Sequence, residues 1–262
     1  MRNYTPLALH AAFILALHSV SAVTIDVDGW LSGTGDGPLS QTATNDPIVG
    51  DGTDGSAASE AIYAAISGQI PSLLQTGERI TLTGSVTLEG SSSGDDQFRW
   101  GLYDVNNSST VSGWQGYFAL NGITGTGGDL RERNQPNGAT FWNSTSSTLL
   151  STSAVAGAAF SAASYNFTLS IERRVGDQLQ IDWSLVRTSG STVYNIAESF
   201  VDSSPSTFAF NRVGFHLGGT LAADRATFQN ITVSHVPEPS FATFSAIGLA
   251  ALSVRRPRRT RP

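Results

Sequence analysis

Residues 165–185 read YNFTLSIERRVGDQLQIDWSL, and the alternation of apolar and polar residues in this stretch decides the fold class. Such alternation is typical of two half-buried antiparallel strands. Matching the two apolar rows pairs Val175 with Leu179, so we predict a hairpin with a three-residue turn at 176–178.

Similar short alternating runs recur along the chain, separated by turns rich in Gly, Ser and Thr. They predict an all-β fold, a two-sheet antiparallel jelly-roll sandwich. One short helix is predicted at 57–66, where Ala and Ile dominate and Ser56 supplies a cap, and a long loop is predicted at 32–56. The predicted strands span residues 79–89, 97–105, 113–120, 165–175, 179–188, 192–200, 208–217 and 226–235, with shorter ones near 23–28 and 140–143.

The polar face of the predicted hairpin carries the best catalytic candidates. The predicted register places Glu172 opposite Asp182 and Arg174 opposite Gln180. Two opposed carboxylates about 5 Å apart fit the acid pair of a retaining glycosidase. The same residues also fit a solvated sheet face on which Arg174, diagonal to Asp182, offsets the repulsion.

A candidate ligand-binding face is predicted from residues that alternate with core positions. Arg99, Tyr103, Tyr117 and His216 are expected on the side of a sheet that faces away from the core, where polar and aromatic groups can bind sugars. The alternative is that they only cover the sheet. Among the tryptophans, we expect Trp114 and Trp142 near turns at the rim of this face, and Trp30, Trp100 and Trp183 in the core.

Asp26, Asp28, Asp51 and Asp54 lie in acidic turns and are the candidate Ca²⁺ ligands. None of these turns has the spacing of an EF-hand loop, and Asp and Gly are also ordinary turn residues. The chain has no Cys and four His, which argues against a zinc site. Ca²⁺ is therefore the one cofactor that the sequence leaves open.

The N-terminus reads as a secretory signal peptide at 1–22. Arg2 gives a positive start, residues 7–17 form an apolar run, and small residues lead to a predicted cleavage after Ala22. The alternative is a first core helix. The lack of Cys is compatible with export because no disulfide can mispair.

The C-terminal segment 236–262 has three parts, which are a Pro-Glu-Pro break, an uncharged run at 240–254 and a basic tail at 255–262. The run is shorter than the ~20 residues that usually cross a bilayer, but flanking arginines can extend it and should stay cytoplasmic. We therefore predict a hydrophobic helix that anchors the chain transiently in the inner membrane. The alternative is a buried C-terminal helix.

This tail resembles the PEP-CTERM protein-sorting signal of Gram-negative bacteria. The resemblance implies that an exosortase, a membrane-embedded processing enzyme, removes the tail and that the protein reaches the cell surface or an exopolysaccharide matrix. Pro257 within the basic cluster is a departure from the pattern. The matching residues are Pro237, Glu238 and Pro239, the apolar run, and Arg255, Arg256, Arg258 and Arg259.

The net charge of the predicted domain differs from that of the two targeting segments. All 15 basic residues are arginines; nine of them and 20 of the 21 acids lie within the predicted domain at 23–235, which gives a net charge of −11. Such a domain repels nucleic acid, anionic lipid and polyanionic glycans. It is compatible with neutral polysaccharide, with Ca²⁺, or with no ligand.

The domain also resembles concanavalin-like, laminin-G-type sandwiches, through its long strands, Phe215 and the segment 228–233. That resemblance implies glycan binding, with hydrolysis in some members. The Glu-x-Asp-x-x-Glu strand of laminarinase-type hydrolases is absent here. We therefore expect a non-catalytic structural or glycan-binding component. The alternative is a secreted carbohydrate-active enzyme, a glycoside hydrolase or lyase.

Overall fold

The hairpin at 165–185 is present and its faces are as predicted. Strands are numbered in chain order, and β12 (Ser164–Arg174) pairs antiparallel with β13 (Gln178–Arg187). Leu169, Ile171 and Trp183 are buried, and the residues between them point to the other face. The alternation in the sequence therefore identified the core side correctly.

The register of this hairpin differs from the prediction by two residues. Arg174 lies opposite Gln178, so the turn consists of Val175, Gly176 and Asp177. Gly176 and Asp177 adopt φ values of +80° and +56°, in the left-handed region that Gly and Asp tolerate best. The turn forms where these two residues can take that conformation, and Val175 is left exposed.

The computed structural model describes residues 21–34, 39–41, 45–67, 72–90, 98–121, 127–134, 140–142, 146–157, 160–221 and 223–237. These residues form two antiparallel sheets and contain no α-helix. The nine-stranded sheet runs β11 (Ala156–Gly157), β14 (Tyr194–Asp202), β13, β12, β6 (Arg79–Gly90), β16 (Ala223–Val236), β4 (Pro47–Val49) and β3 (Leu39–Gln41), and β1 (Val23–Ile25) also pairs with β16. The seven-stranded sheet runs β10 (Thr148–Ala154), β9 (Gly127–Arg133), β8 (Gln115–Asn121), β7 (Phe98–Asp104), β15 (Arg212–Leu217), β5 (Ala61–Ile66) and β2 (Val27–Thr34).

The two sheets pack face to face, which confirms the predicted two-sheet sandwich. Their inner faces contribute to one apolar core that includes residues of both sheets. Trp100 of β7 contacts Trp183 of β13 with ring centroids 6.0 Å apart, and Phe98 contacts Phe167 at 5.8 Å. Trp30, Trp100 and Trp183 are buried in this core, as predicted.

The predicted helix at 57–66 is wrong. Residues 61–66 form strand β5, which lies between β15 and β2, and a turn precedes it. Ile62, Ala64 and Ile66 alternate into the core, so packing within the sheet overrides the helix propensity of alanine. The predicted loop at 32–56 is also partly wrong, because it contains the end of β2 and the short strands β3 and β4.

The strand predicted near 140–143 is also wrong, since residues 140–142 form a bend and a turn; residue 143 lies outside the described residues. The other predicted strands are present with small shifts of their ends. The predicted signal peptide up to residue 20 and the predicted tail from Glu238 lie outside the described residues, and Pro237 directly follows β16. Within the part of the chain that the structure describes, no helix has the length and apolarity needed to span a bilayer.

Candidate functional site

Three of the four predicted ligand-binding residues lie together on the outer face of the seven-stranded sheet. His216 of β15 lies directly opposite Arg99 of β7, and Tyr103 follows on the same face of β7. Arg131 and Arg133 of β9 point to the same side, across β8. We call these five residues (Arg99, Tyr103, Arg131, Arg133 and His216) the arginine face.

An aromatic cluster covers much of the arginine face. It consists of Ala61, Tyr103, Trp114, Phe118, Leu120, Phe141 and Trp142, and it is separate from the core between the sheets. Phe141 packs against the ring of Trp114 at 5.3 Å and that of Tyr103 at 5.2 Å. Trp114 and Trp142 lie in or beside turns, as the sequence predicted, and both are buried in this cluster.

Gly214 lets Phe141 approach the sheet this closely. A Cβ atom at Gly214 would lie 2.4 Å from Cε2 of Phe141, which is far inside van der Waals contact. Glycine within a strand often marks a close approach of another group. Gly214 lies in the middle of the β15 sequence Arg212-Val213-Gly214-Phe215-His216. This glycine is the sequence feature from which the covering of the arginine face could have been predicted.

His216 and Arg99 are held by Trp142. The His216 and Trp142 rings stack with centroids 4.7 Å apart and an interplanar angle of 14°, and Arg99 Nη1 donates to the carbonyl oxygen of Trp142. Burial, with a smaller effect from the Arg99 charge, lowers the pKa of His216 to about 2. Burial also lowers the pKa of Arg99 to about 10. At neutral pH the imidazole is therefore neutral and the guanidinium is charged.

The other two arginines are used within the protein. Arg131 forms an ion pair with Asp129 at 2.9 Å. Arg133 is fully buried and donates to the carbonyl oxygens of Trp114 (2.9 Å) and Val111 (3.0 Å), so it holds the turn that carries Trp114. These contacts give the charged groups a structural role as well as any role in binding.

Tyr117, the fourth predicted ligand residue, lies elsewhere. It pairs with Leu102 and points into the core between the sheets. Its hydroxyl donates to Asp202 Oδ2 at 2.7 Å and lies 3.4 Å from Glu132 Oε1. The prediction that Tyr117 faces away from the core is wrong because both faces of β8 are apolar, so alternation does not distinguish them.

Glu132 and Asp202 are therefore a carboxylate pair that the sequence did not predict. Both are nearly fully buried, and no salt bridge reaches either one within the described part of the chain. The backbone amides of Ser206 and Ser204 donate to Glu132 and Asp202 at 2.7 and 2.9 Å. Burial, followed by the two carboxylates, raises the pKa of Tyr117, so the phenol stays protonated and donates its one proton to Asp202. The two acids are 70 residues apart in the sequence, so no local pattern links them.

Glu172 and Asp182 are not opposite each other, which corrects the predicted catalytic pair. In the observed register Glu172 faces Gln180, and Asp182 faces Ser170. Glu172 lies between Arg174 (3.2 Å) and Arg79 (3.9 Å). Asp182 is exposed and accepts a hydrogen bond from Ser199 Oγ at 2.6 Å. The two carboxylates are therefore diagonal neighbours and not the directly opposed pair that the sequence predicted.

The Ca²⁺ candidates do not converge. Asp26, Asp28, Asp51 and Asp54 are all exposed, and the described residues contain no group of three or more acidic or histidine side chains suited to a metal ion. The Asp51 carboxylate accepts hydrogen bonds from the amide and hydroxyl of Thr53 at 2.9 and 2.7 Å. These bonds lower the pKa of Asp51 and give it the role of a turn residue.

No protein-family model matches the sequence, and no curated protein matches it either. Solved structures are similar at the level of the fold. The marine PL-14 alginate lyase from Aplysia kurodai has 10% identity and a TM-score of 0.49, with 82% of this chain and 98% of that chain covered. Arcelin-5, a lectin-like defense protein from Phaseolus vulgaris, has 7% identity and a TM-score of 0.47 (82% and 97% covered). An endo-1,3-beta-glucanase from Streptomyces sioyaensis has 13% identity and a TM-score of 0.47 (83% and 97% covered). At these values we draw no conclusion about ligand or reaction.

Proposed function

We propose that this chain is an exported bacterial protein of the cell surface or polysaccharide matrix, with a non-catalytic structural or glycan-binding role. The route is proposed from the signal peptide at 1–22 and the sorting tail at 236–262. On this route the tail anchors the chain in the inner membrane until an exosortase-type enzyme removes it. The ligand is a neutral polysaccharide, because the domain at 23–235 carries a net charge of −11.

The observation that carries the non-catalytic role is the state of the predicted catalytic acids. Glu172 is engaged by two arginines and Asp182 by a serine, on an outer sheet face. Both carboxylates are thus engaged in contacts along the strand surface, which supports a structural role for them. The arginine face supports the same proposal, because Phe141 and Trp142 occupy the space above it.

Two experiments test this proposal. Cell fractionation of the wild type and of a variant truncated after Val236 tests the route, and we expect the truncated protein to lose its surface or matrix location. A binding screen of the purified full-length protein against neutral and acidic polysaccharides, with and without Ca²⁺, tests the ligand. Retention by acidic polysaccharides alone would contradict the neutral-glycan role.

The alternative is a carbohydrate-active enzyme, and one observation favours it. Glu132 and Asp202 share the Tyr117 hydroxyl, and paired carboxylates are the machinery of glycoside hydrolysis. If the wild type turned over a glycan, and Glu132→Gln removed that turnover while Glu172→Gln did not, the enzyme alternative would replace the non-catalytic one. We expect no turnover in either variant or in the wild type.

A further inference from the structure

The outer face of the nine-stranded sheet has a chemistry unlike that of the arginine face. It is formed by five adjacent strands, β16, β6, β12, β13 and β14. Two neighbouring rows of residues run across these strands, and each strand contributes one outward-facing residue to each row. The first row consists of Ser234, Thr81, Ser170, Asp182 and Ser199. The second consists of Thr232, Thr83, Thr168, Ser184 and Ala197. We call these two rows the hydroxyl face.

The hydroxyl face is accessible. None of its ten residues is buried, and Asp182, Ala197 and Ser199 are exposed. The small side chains at its β13–β14 end leave a shallow groove of about 500 Å³. It is lined by Thr168, Asp182, Trp183, Ser184, Ala197, Glu198 and Ser199. The aromatic cluster that covers the other sheet has no counterpart in these rows.

The hydroxyl groups form a regular grid. Neighbouring strands lie about 4.8 Å apart, and residues two apart along a strand lie about 6.8 Å apart. Thr81 Oγ1 and Ser170 Oγ are 3.1 Å apart and hydrogen-bonded, so part of the grid is already oriented. A hydroxyl group both donates and accepts hydrogen bonds, as the hydroxyls of a sugar do.

Asp182 is the one ionisable residue of the two rows, and Ser199 already donates to it. A polyanion would find no cation within the two rows, because the flanking Arg79 and Arg174 contact Glu172, and it would be repelled by the acidic domain. A second copy of the chain would carry the same negative charge, and Ala197 is the one apolar residue these rows offer it. A neutral polymer that is rich in hydroxyl groups is not repelled by the negative charge and does not need an apolar surface.

We propose that the hydroxyl face binds a chain of neutral polysaccharide that lies across the five strands. This inference rests on the glycan-binding role proposed above and assigns it to a surface and a ligand class. Each sugar gains weak hydrogen bonds, each worth about two- to tenfold in affinity. Contacts repeated along a polymer add up, so the protein binds a polysaccharide much more tightly than a monosaccharide.

Co-sedimentation of the full-length protein, purified in detergent, with insoluble β-1,3-glucan, cellulose and starch tests this assignment. The double variant Thr83→Val/Thr168→Val removes two hydroxyl groups of the second row and keeps the shape of the side chains. We expect its affinity for the bound polysaccharide to fall about tenfold or more, because two hydrogen bonds are lost. Ala197→Arg, which places a bulky charge in the groove, should also weaken binding.

Three controls keep the result interpretable. Thr192→Val makes the same substitution on an exposed threonine outside the face and should bind like the wild type. Asp26→Asn removes an exposed carboxylate outside the face, so it measures the effect of net charge alone, and it should bind like the wild type. Trp142→Leu on the opposite sheet should also retain binding, and thermal denaturation checks that each variant is folded.

Each other outcome overturns a defined part of the proposal. If the wild type binds a neutral polysaccharide and the double variant binds equally well, the hydroxyl face is not the binding surface and the glycan-binding role stands. If the wild type binds none of the three polymers, the glycan-binding role itself fails. If analytical ultracentrifugation shows a dimer that Ala197→Arg dissociates, the face is an interface between copies of this chain.

Discussion

The two outer faces of this sandwich differ in how their side chains are used. The arginine face carries the residues that usually mark a binding site, yet Phe141 and Trp142 pack over it and its arginines bind carbonyl or carboxylate oxygens of the protein. The hydroxyl face carries small side chains that are neutral except for Asp182, yet it stays accessible. Residue type alone therefore does not identify a binding surface, because charged and aromatic groups are also the ones best suited to hold a loop on a sheet.

The cost of exposing each face explains this difference. A guanidinium or an indole ring that leaves its partners loses hydrogen bonds and apolar burial together, so the arginine face is stable when covered. A serine or threonine loses little in water because water replaces its partner. Substitutions that disturb the covered face should thus destabilise the protein far more than those on the hydroxyl face.

The largest effect is expected for Gly214→Ala. Its Cβ would lie 2.4 Å from Phe141 Cε2 and 3.0 Å from Tyr103 Cε2, so the aromatic cluster must shift. Overpacking of this kind typically costs 1–3 kcal/mol, and we expect a fall of about 3 kcal/mol in the free energy of unfolding. Urea denaturation measures it.

A double-mutant cycle with Phe141→Leu identifies the cause. Leucine has no atom at the position of Cε2, so Gly214→Ala should cost less than about 1 kcal/mol in the Phe141→Leu background. Equal costs in both backgrounds would mean that Phe141 does not pack on Gly214. The conclusion that Phe141 covers the arginine face would then be wrong.

The next effect concerns the contact that links the two sheets through Tyr117. Tyr117→Phe removes the one phenol that donates to Asp202 and approaches Glu132. Hydrogen bonds to charged groups are worth about 1.5–3 kcal/mol, so we expect a loss of about 2 kcal/mol in the free energy of unfolding.

Tyr194→Phe is the matched control for this substitution. Tyr194 is also buried, but its hydroxyl has no hydrogen-bond partner among the described residues. Removing it should change stability by less than about 0.5 kcal/mol or stabilise the protein. A similar loss in both variants would show that the Tyr117 hydroxyl contributes no specific bond.

The sequence predicted which side chains of a strand face the core better than it predicted how neighbouring strands are paired. Leu169, Ile171 and Trp183 lie on the core side as expected, because a period of two assigns every side chain of a strand to one of two faces. The register of the same hairpin was wrong by two residues. It depends on where Gly176 and Asp177 can adopt positive φ values, which the apolar pattern does not contain.

The candidate site was predicted only where one face of a strand was clearly polar. Arg99 and His216 alternate with core residues, so their common face could be predicted. Tyr117 and Phe118 both face apolar surroundings, one in the core and one in the aromatic cluster, so alternation gave no answer. That Trp142 covers His216 depends on the path of a turn, and the Glu132–Asp202 pair depends on contacts between the sheets.

A smaller, pH-dependent effect is expected from His216. Its pKa is lowered from the ordinary value of 6.5 to about 2, so the unfolded chain binds a proton below pH 6.5 that the folded protein does not. The stability contributed by this group is therefore fully present above pH 6.5 and declines as the pH falls below it. The expected loss between pH 7.5 and pH 5.5 is about 1.4 kcal/mol, and His216→Gln should remove it.

Nuclear magnetic resonance gives an independent check of the His216 prediction. In the folded protein the ring proton shifts of His216 should stay constant from pH 7.5 to pH 4.5, because the imidazole remains neutral under Trp142. Titration near pH 6 would mean that water reaches the ring, and the arginine face would then be open in solution.

The smallest effect is expected for Asp182→Asn on the hydroxyl face. The side chain is exposed, and the asparagine oxygen can still accept the hydrogen bond from Ser199, so stability should change by less than about 0.5 kcal/mol. Urea denaturation of this variant and of Tyr117→Phe compares the stability lost at an exposed carboxylate with the stability lost at a buried hydrogen bond to a carboxylate. A loss of 2 kcal/mol for Asp182→Asn would mean that the negative charge itself supports the hydroxyl face. The structure of the hydroxyl face would then depend on the Asp182 carboxylate, and the argument that this face suits a neutral ligand would be weakened.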